Sequence, residues 1–334
     1  MKHYNIPIFV PHLGCPFQCV FCNQKHIAGE VAPATPEVVD ETIKAYLKTL
    51  PASGAIEAAF FGGSFTGLGL SEQRRLLAAA YPFVKSGKIR GIRLSTRPDY
   101  IDPVICAQLA EFGVTAVELG VQSMDADVLQ ASRRGHTAAD VAEAVGILRQ
   151  YPFQIGLQMM TGLPGDTLEK SRATAQKIIG LSPDFVRIYP TLVVRDTELE
   201  RMYQNGEYHP QTLKEAVELC KDLLMLFQEA KIPVIRVSLQ TTEEISPGGA
   251  VVAGPFHSAF RELCESEIYF EKMVKTLKRQ GSGIILVHPR ELSKAVGNRK
   301  RNILRLRAEF GLDIQISGDS SVRPGDVCWR KKEG

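Results

Sequence analysis

Six short apolar runs, at 6–10, 56–61, 91–95, 116–121, 153–160 and 185–190, alternate with longer segments at 35–50, 71–85, 103–112, 138–150 and 168–180. The longer segments carry apolar residues at three- and four-residue intervals, as in Leu76, Leu77, Ala80 and Val84, the period of a helix with one buried face. Two of them open on caps, Thr35 before Pro36 and Asp102 before Pro103. Strands and helices in such a series imply a parallel sheet with right-handed crossovers, because a parallel neighbour is reached only through a long connection. Periodicity leaves two architectures open, a doubly wound open sheet and a barrel, complete or partial. Both place functional groups at the carboxyl ends of strands.

Beyond the sixth run come a helix at 213–230 and a short strand at 234–237, then a Thr-, Glu-, Gly- and Pro-rich stretch at 241–255. The remainder mixes helices (266–279, 289–310) with strands (283–287, 313–316). A chain of 334 residues suits one barrel-like domain, 1–240, with an extension, 241–334. Residues 270–334 hold 15 Lys or Arg against 7 Asp or Glu, a local charge of +8 in a chain whose net charge is +3. A basic tail on an acidic body suits a polyanion partner such as RNA or a solvated helical face.

No stretch has the apolar length needed to span a membrane. Leu13-Gly14-Cys15 resembles the end of a lipoprotein signal, but the preceding apolar segment is short and broken by Pro7, Pro11 and His12. Seven cysteines, three of them between positions 15 and 22, do not form a secreted disulfide framework. They point to a reducing, cytoplasmic compartment and a metal site.

That site is Cys15-Pro16-Phe17-Gln18-Cys19-Val20-Phe21-Cys22, in the loop after the first strand. Thiolates at this spacing can converge on an iron–sulfur cluster, and three ligands for four irons leave one iron open for chemistry. A structural zinc site would need a fourth ligand, which His12 or His26 could supply. Cys106, Cys220, Cys264 and Cys328 lack local pairing, and Cys220 reads as a buried helical cysteine rather than a ligand of an auxiliary cluster.

Further segments stand at strand ends. Phe61-Gly62-Gly63-Ser64-Phe65-Thr66 has paired glycines that let backbone approach a ligand, or make an ordinary turn. Arg97 follows Ser95 and Thr96, and Glu118 lies inside the apolar run 116–121, where a carboxylate needs a partner or a role. With Arg-Pro-Asp-Tyr at 97–100, Val-Glu-Leu-Gly-Val-Gln-Ser at 117–123, Arg-Gly-His-Thr at 134–137, Arg-Ile-Tyr-Pro-Thr-Leu-Val at 187–193 and Ala-Gly-Pro-Phe-His at 253–257, the chain resembles the radical S-adenosylmethionine (SAM) superfamily. Within it the chain is similar to the radical SAM domain of the Elongator catalytic subunit and to related bacterial proteins, over roughly residues 6–260.

The resemblance implies an α/β fold, a partial (β/α)6 TIM-like barrel with a small C-terminal α/β extension. It implies a 4Fe-4S cluster on Cys15, Cys19 and Cys22 with one open iron that chelates SAM, and reductive cleavage of SAM to start hydrogen abstraction from substrate. The SAM pocket would draw on Phe21, Gly62, Gly63, Ser64, Arg97, Glu118, Gln122 and Tyr189. A reductant such as flavodoxin or ferredoxin would supply the electron, and tRNA is a candidate substrate. The first two cluster cysteines are closer together than Elongator's, and the residues after Pro255 are too few for its acetyltransferase domain. A competing expectation is an iron–sulfur RNA-binding or electron-transfer protein that does not cleave SAM.

Overall fold

The computed structural model describes residues 3–10, 15, 19–23, 34–51, 53–239, 245–246, 248–280 and 282–331. Seven parallel strands form the main sheet: β1 (His3–Phe9), β2 (Ala55–Phe61), β3 (Gly91–Thr96), β4 (Val114–Gln122), β5 (Gln154–Thr161), β6 (Phe185–Pro190) and β8 (Val234–Val237). A two-residue strand β7 (Val193–Val194) pairs antiparallel with β9 (Val251–Ala253) outside that sheet.

The strand order decides between the two architectures. Each strand of the main sheet pairs with the next one in the chain, without a reversal. A doubly wound sheet needs a reversal to place helices on both faces. With none, right-handed crossovers put the connecting helices on the same side, and the strands curl into a half-barrel. The helices are α1 (Pro36–Leu47), α2 (Leu70–Lys85), α3 (Pro103–Glu111), α4 (Ala126–Ala131), α5 (Ala138–Leu148), α6 (Leu168–Gly180), α7 (Glu198–Gln204) and α8 (Leu213–Glu229). Thr35 and Asp102 cap α1 and α3 by accepting the backbone N–H groups of Val38 and Ile105.

Alternation along the strands separates two faces. Ile6 and Ile8, Ala58 and Phe60, Ile92 and Leu94, and Val117 and Leu119 are all buried and apolar. Of the intervening positions, Asn5, Glu57, Arg93, Glu118, Gln158 and Arg187 are polar or charged, while Pro7 and Ala59 are not. The apolar set is the helix-facing core. The polar set lines the concave side of the sheet.

The chain divides into two compact units, one comprising residues 1–212 and 225–256 and the other 213–224 and 257–334. In the second, α9 (Phe260–Gln280) packs with β10 (Gly283–Val287), α10 (Leu292–Val296), α11 (Arg301–Phe310), β11 (Ile314–Gly318) and β12 (Cys328–Arg330) around Met273, Ile285, Val287 and Leu306. The expected single helix at 289–310 is broken. Gly297, Arg299 and Lys300 all take positive φ, and α11 begins only at Arg301. Asn298 and Arg301 therefore do not share a helical face. Arg305 pairs with Glu267 and Glu309 and lies 3.7 Å over the Phe270 ring, so it belongs to the unit's own packing.

Candidate active site

The thiols follow β1 at its carboxyl end. Cys19 is buried, Cys15 and Cys22 are half-buried, and none of the three is in a disulfide. Residues 19–23 are held from two sides: Val20 N–H donates to the Ser132 carbonyl (3.2 Å) after α4, and the Val20 carbonyl accepts from Leu199 N–H (2.8 Å) in α7. Val20 packs with Val193, Leu199 and Tyr208, and Phe21 lies against the same cluster. Among the described residues no three His, Cys, Asp or Glu side chains, these thiols included, are gathered into a metal-binding group. His12, His26 and residues 16–18 lie outside the described residues.

Two buried guanidinium groups meet this loop. Arg134 Nη1 lies 3.5 Å from Cys19 Sγ, and its Nη2 donates to the Gly120 carbonyl at 2.6 Å. Arg97 makes a bidentate pair with Asp99 (2.9 and 2.8 Å) and donates to the Arg134 carbonyl at 2.7 Å. Burial alone would lower the pKa of Arg97, but the hydrogen bond and charge of Asp99, with Cys19 and Cys15 adding to them, hold it above its ordinary value. Arg97 thus lies near enough to Cys19 and Cys15 for their charges to act on it. The Arg-Gly-His-Thr segment at 134–137 is noted in the sequence without a role for Arg134, whose partner lies 115 residues away.

The glycine loop after β2 is fixed by hydroxyl groups. Gly62 has φ +89°, a region that side-chain-bearing residues rarely adopt. Ser64 Oγ and Thr66 Oγ1 meet Thr96 Oγ1 at 2.9 and 2.5 Å, and Arg97 N–H donates to Ser64 Oγ at 3.2 Å. The end of β2 is therefore locked to the end of β3, with Ser64 linking the glycine loop to Arg97. Gln122, at the end of β4 beyond a bulge, takes φ +64° and accepts a hydrogen bond from Gln158 Nε2 at 3.2 Å.

Glu118 belongs to a different group, a ladder of charges across the concave face. Its carboxylate pairs with Arg187 (2.5 Å) and Arg93 (3.4 Å), and Arg93 reaches Glu57 at 3.6 Å. Glu57 also takes hydrogen bonds from His3 (2.6 Å) and Thr115 (2.7 Å). Burial pushes the Glu57 carboxyl up, but Thr115, Arg93 and His3 outweigh it and hold the group below the usual range. Arg187 Nη1 donates to the Tyr189 hydroxyl at 3.3 Å, which ties Tyr189 to the ladder. His136 is buried, with Nε2 at 3.1 Å from the Val121 carbonyl; burial, then Arg134 and Arg97, push its pKa down to about 4. It is a neutral imidazole at physiological pH.

Comparison with known proteins accords with this geometry. The family model of the radical SAM superfamily matches residues 9–178, and that of the Radical_SAM C-terminal domain matches 183–269. A tRNA uridine(34) acetyltransferase of Dehalococcoides mccartyi is 27% identical over 267 residues, covering 70% of this chain and 57% of that protein. Elongator complex protein 3 of Homo sapiens is 32% identical over 179 residues, covering 53% of this chain and 32% of that one. The structure of Methanocaldococcus infernus Elp3 superimposes with a TM-score of 0.62 at 24% identity, over 82% of this chain and 64% of the other, a likeness of fold. The chain spans less than two thirds of each of these relatives. A match covering half of the chain, on a half-barrel with a three-cysteine loop at its carboxyl rim, establishes that the chain belongs to the radical SAM superfamily.

Proposed function

We propose that this enzyme holds a 4Fe-4S cluster on Cys15, Cys19 and Cys22, cleaves SAM reductively and acts on tRNA. The observation that carries the reading is the convergence of the cysteine loop with Arg97 and Arg134. A thiolate-ligated cluster is an anion, and so is the SAM carboxylate. Two buried cations beside Cys19, one of them without a carboxylate partner among the described residues, fit such a load. A cluster held by Cys15, Cys19 and Cys22 would supply the one electron for reductive cleavage of SAM, the chemistry that starts hydrogen abstraction from substrate.

The chain's own residues bind and orient. Gly62 and Gly63 offer backbone to the methionyl end, in a loop that Ser64 fixes through Thr96. Arg97, held by Asp99, presents charge at the rim. Glu118 serves the pocket by holding Arg187, and through it Tyr189, in place, and Gln122 and Phe21 complete the proposed pocket. Flavodoxin or ferredoxin is the proposed electron donor.

The tRNA reading rests on relatives whose names include tRNA uridine(34) acetyltransferase and on the exposed turn before α11. Arg299 and Lys300 project there and form no ion pair among the described residues, whereas Arg301 pairs with Glu267 at 3.3 Å. Phosphate contacts release counterions, so tRNA affinity should fall steeply with salt. Replacing Arg299, Lys300 and Arg301 together by Ala should flatten the slope by about one per lost contact. Absence of tRNA binding at low salt would redirect the assignment to a small-molecule substrate.

A further inference from the structure

Arg134 is a buried cation for which the described residues supply no counter-charge. It is 6% exposed, and no carboxylate among the described residues lies within ion-pairing distance. The other two buried arginines of the half-barrel and the half-buried Arg187 are each paired: Arg93 with Glu57 and Glu118, Arg97 with Asp99, Arg187 with Glu118. Removing a guanidinium from water without a partner costs several kcal/mol, roughly, so its placement needs an anion. The nearest candidate is the Cys19 sulfur at 3.5 Å.

The surroundings fix Arg134 in that position. Gly135 beside it takes φ +82°, Arg134 N–H donates to the Leu129 carbonyl at 2.9 Å, and its own carbonyl is held by Arg97. The side chain is anchored through Nη2 to the Gly120 carbonyl. Gly120 is itself part of the arrangement, because a Cβ there would stand 2.8 Å from Arg134 Nη2. The strand therefore keeps a glycine where the guanidinium passes. One edge of the fork is spent on backbone and the other is turned to sulfur.

We propose that Arg134 sets the reduction potential of the cluster at Cys19 by donating a charged hydrogen bond to that sulfur. The inference rests on the reading of Cys15, Cys19 and Cys22 as cluster ligands. Reduction adds one electron, taken from a one-electron donor, and makes the thiolate-ligated cluster one charge more negative. Arg134 stays protonated throughout, so no proton moves. A fixed cation at the sulfur stabilises the more negative form, which raises the potential and eases reduction. Arg134 is thus a positioning and tuning residue that touches a ligand, not the reacting atoms.

The full chain carrying Arg134→Met or Arg134→Gln is reconstituted anaerobically beside wild type. Iron and sulfide content, circular dichroism and an EPR-monitored reductive titration with dithionite are measured. With the Met variant fully loaded, its reduction equilibrium should become at least tenfold less favourable, a drop of about 59 mV for one electron. The Gln variant, which keeps a neutral donor, should fall between. A loaded Met variant with the wild-type potential overturns the proposal. If Met fails to load iron, the Gln variant decides by the same criterion. If neither loads while both keep the wild-type fold, Arg134 assembles the site rather than tuning it, and the proposal is overturned. A wild-type protein without a cluster spectrum would instead sink the ligand assignment.

Discussion

Glu118→Gln separates a structural role for that carboxylate from direct contact with cofactor. The native group is almost fully buried and holds Arg187 at 2.5 Å and Arg93 at 3.4 Å. Gln keeps the shape but removes the charge, so the half-buried Arg187 is left without its carboxylate while Arg93 retains Glu57 at 3.6 Å. At an effective dielectric near 20, unit charges about 4 Å apart interact by about 4 kcal/mol, and removing one partner of a buried pair costs about 3–5 kcal/mol. Because Arg93 keeps one partner, the low end, about 3 kcal/mol, is expected. In a unit of this size that corresponds to a melting decrease of roughly 6–12 °C. Urea denaturation followed by far-UV circular dichroism is the assay, since guanidinium salts would screen the ladder. Adding Arg187→Met to the Gln variant should recover part of the loss, because no uncompensated charge then remains. A Glu118→Gln protein within about 0.5 kcal/mol of wild type would refute the reasoning.

Gly62→Ala places a Cβ at φ +89° and should weaken SAM binding, read by equilibrium dialysis, while iron content stays near wild type; unchanged affinity would make the loop an ordinary turn. His136 titrates at about 4 in the folded chain against an ordinary value of 6.5, because of burial, Arg134 and Arg97, with Asp99 opposing. Between those values the unfolded chain takes up the proton first, so stability falls as pH falls through the window. Relative to His136→Gln, wild type should lose about 2 kcal/mol of urea stability between pH 7 and 5; a constant difference would contradict the shift. Asn302 is fully buried and its Nδ2 donates to the Ser266 carbonyl, Ser266 Oγ and the Ala295 carbonyl, each at 3.0 Å. Asn302→Ala strands two carbonyls and should cost roughly 2–4 kcal/mol, visible in the fluorescence of Trp329, the only tryptophan; an unshifted transition would mean water replaces the amide.

The half-barrel strands were legible because their apolar runs and strand-end motifs are local. The six apolar runs fall on β1 to β6 with ends displaced by a few residues. What escaped had weak local signals. The segment Glu198–Gln204 is a helix that buries only Leu199, and Ala126–Ala131 is too short to show a period, yet their ends hold Val20 and with it the cysteine loop. The break at Gly297–Lys300 was hidden by the helical spacing on either side of it. In the candidate site, the three closely spaced cysteines stand out by spacing alone. The partner of Glu118 lies 69 residues away and that of Arg134 lies 115, and such pairings are set by which strands become neighbours.

Anaerobic incubation of the reconstituted chain with SAM and dithionite, with deoxyadenosine and methionine quantified by mass spectrometry, tests the central claim most directly. Wild type and Cys328→Ala, whose cysteine is exposed on β12, should both release the two products, and Cys19→Ala should release neither. Deoxyadenosine formed at the wild-type rate by Cys19→Ala, or none formed by a wild-type protein carrying a full cluster, would contradict it.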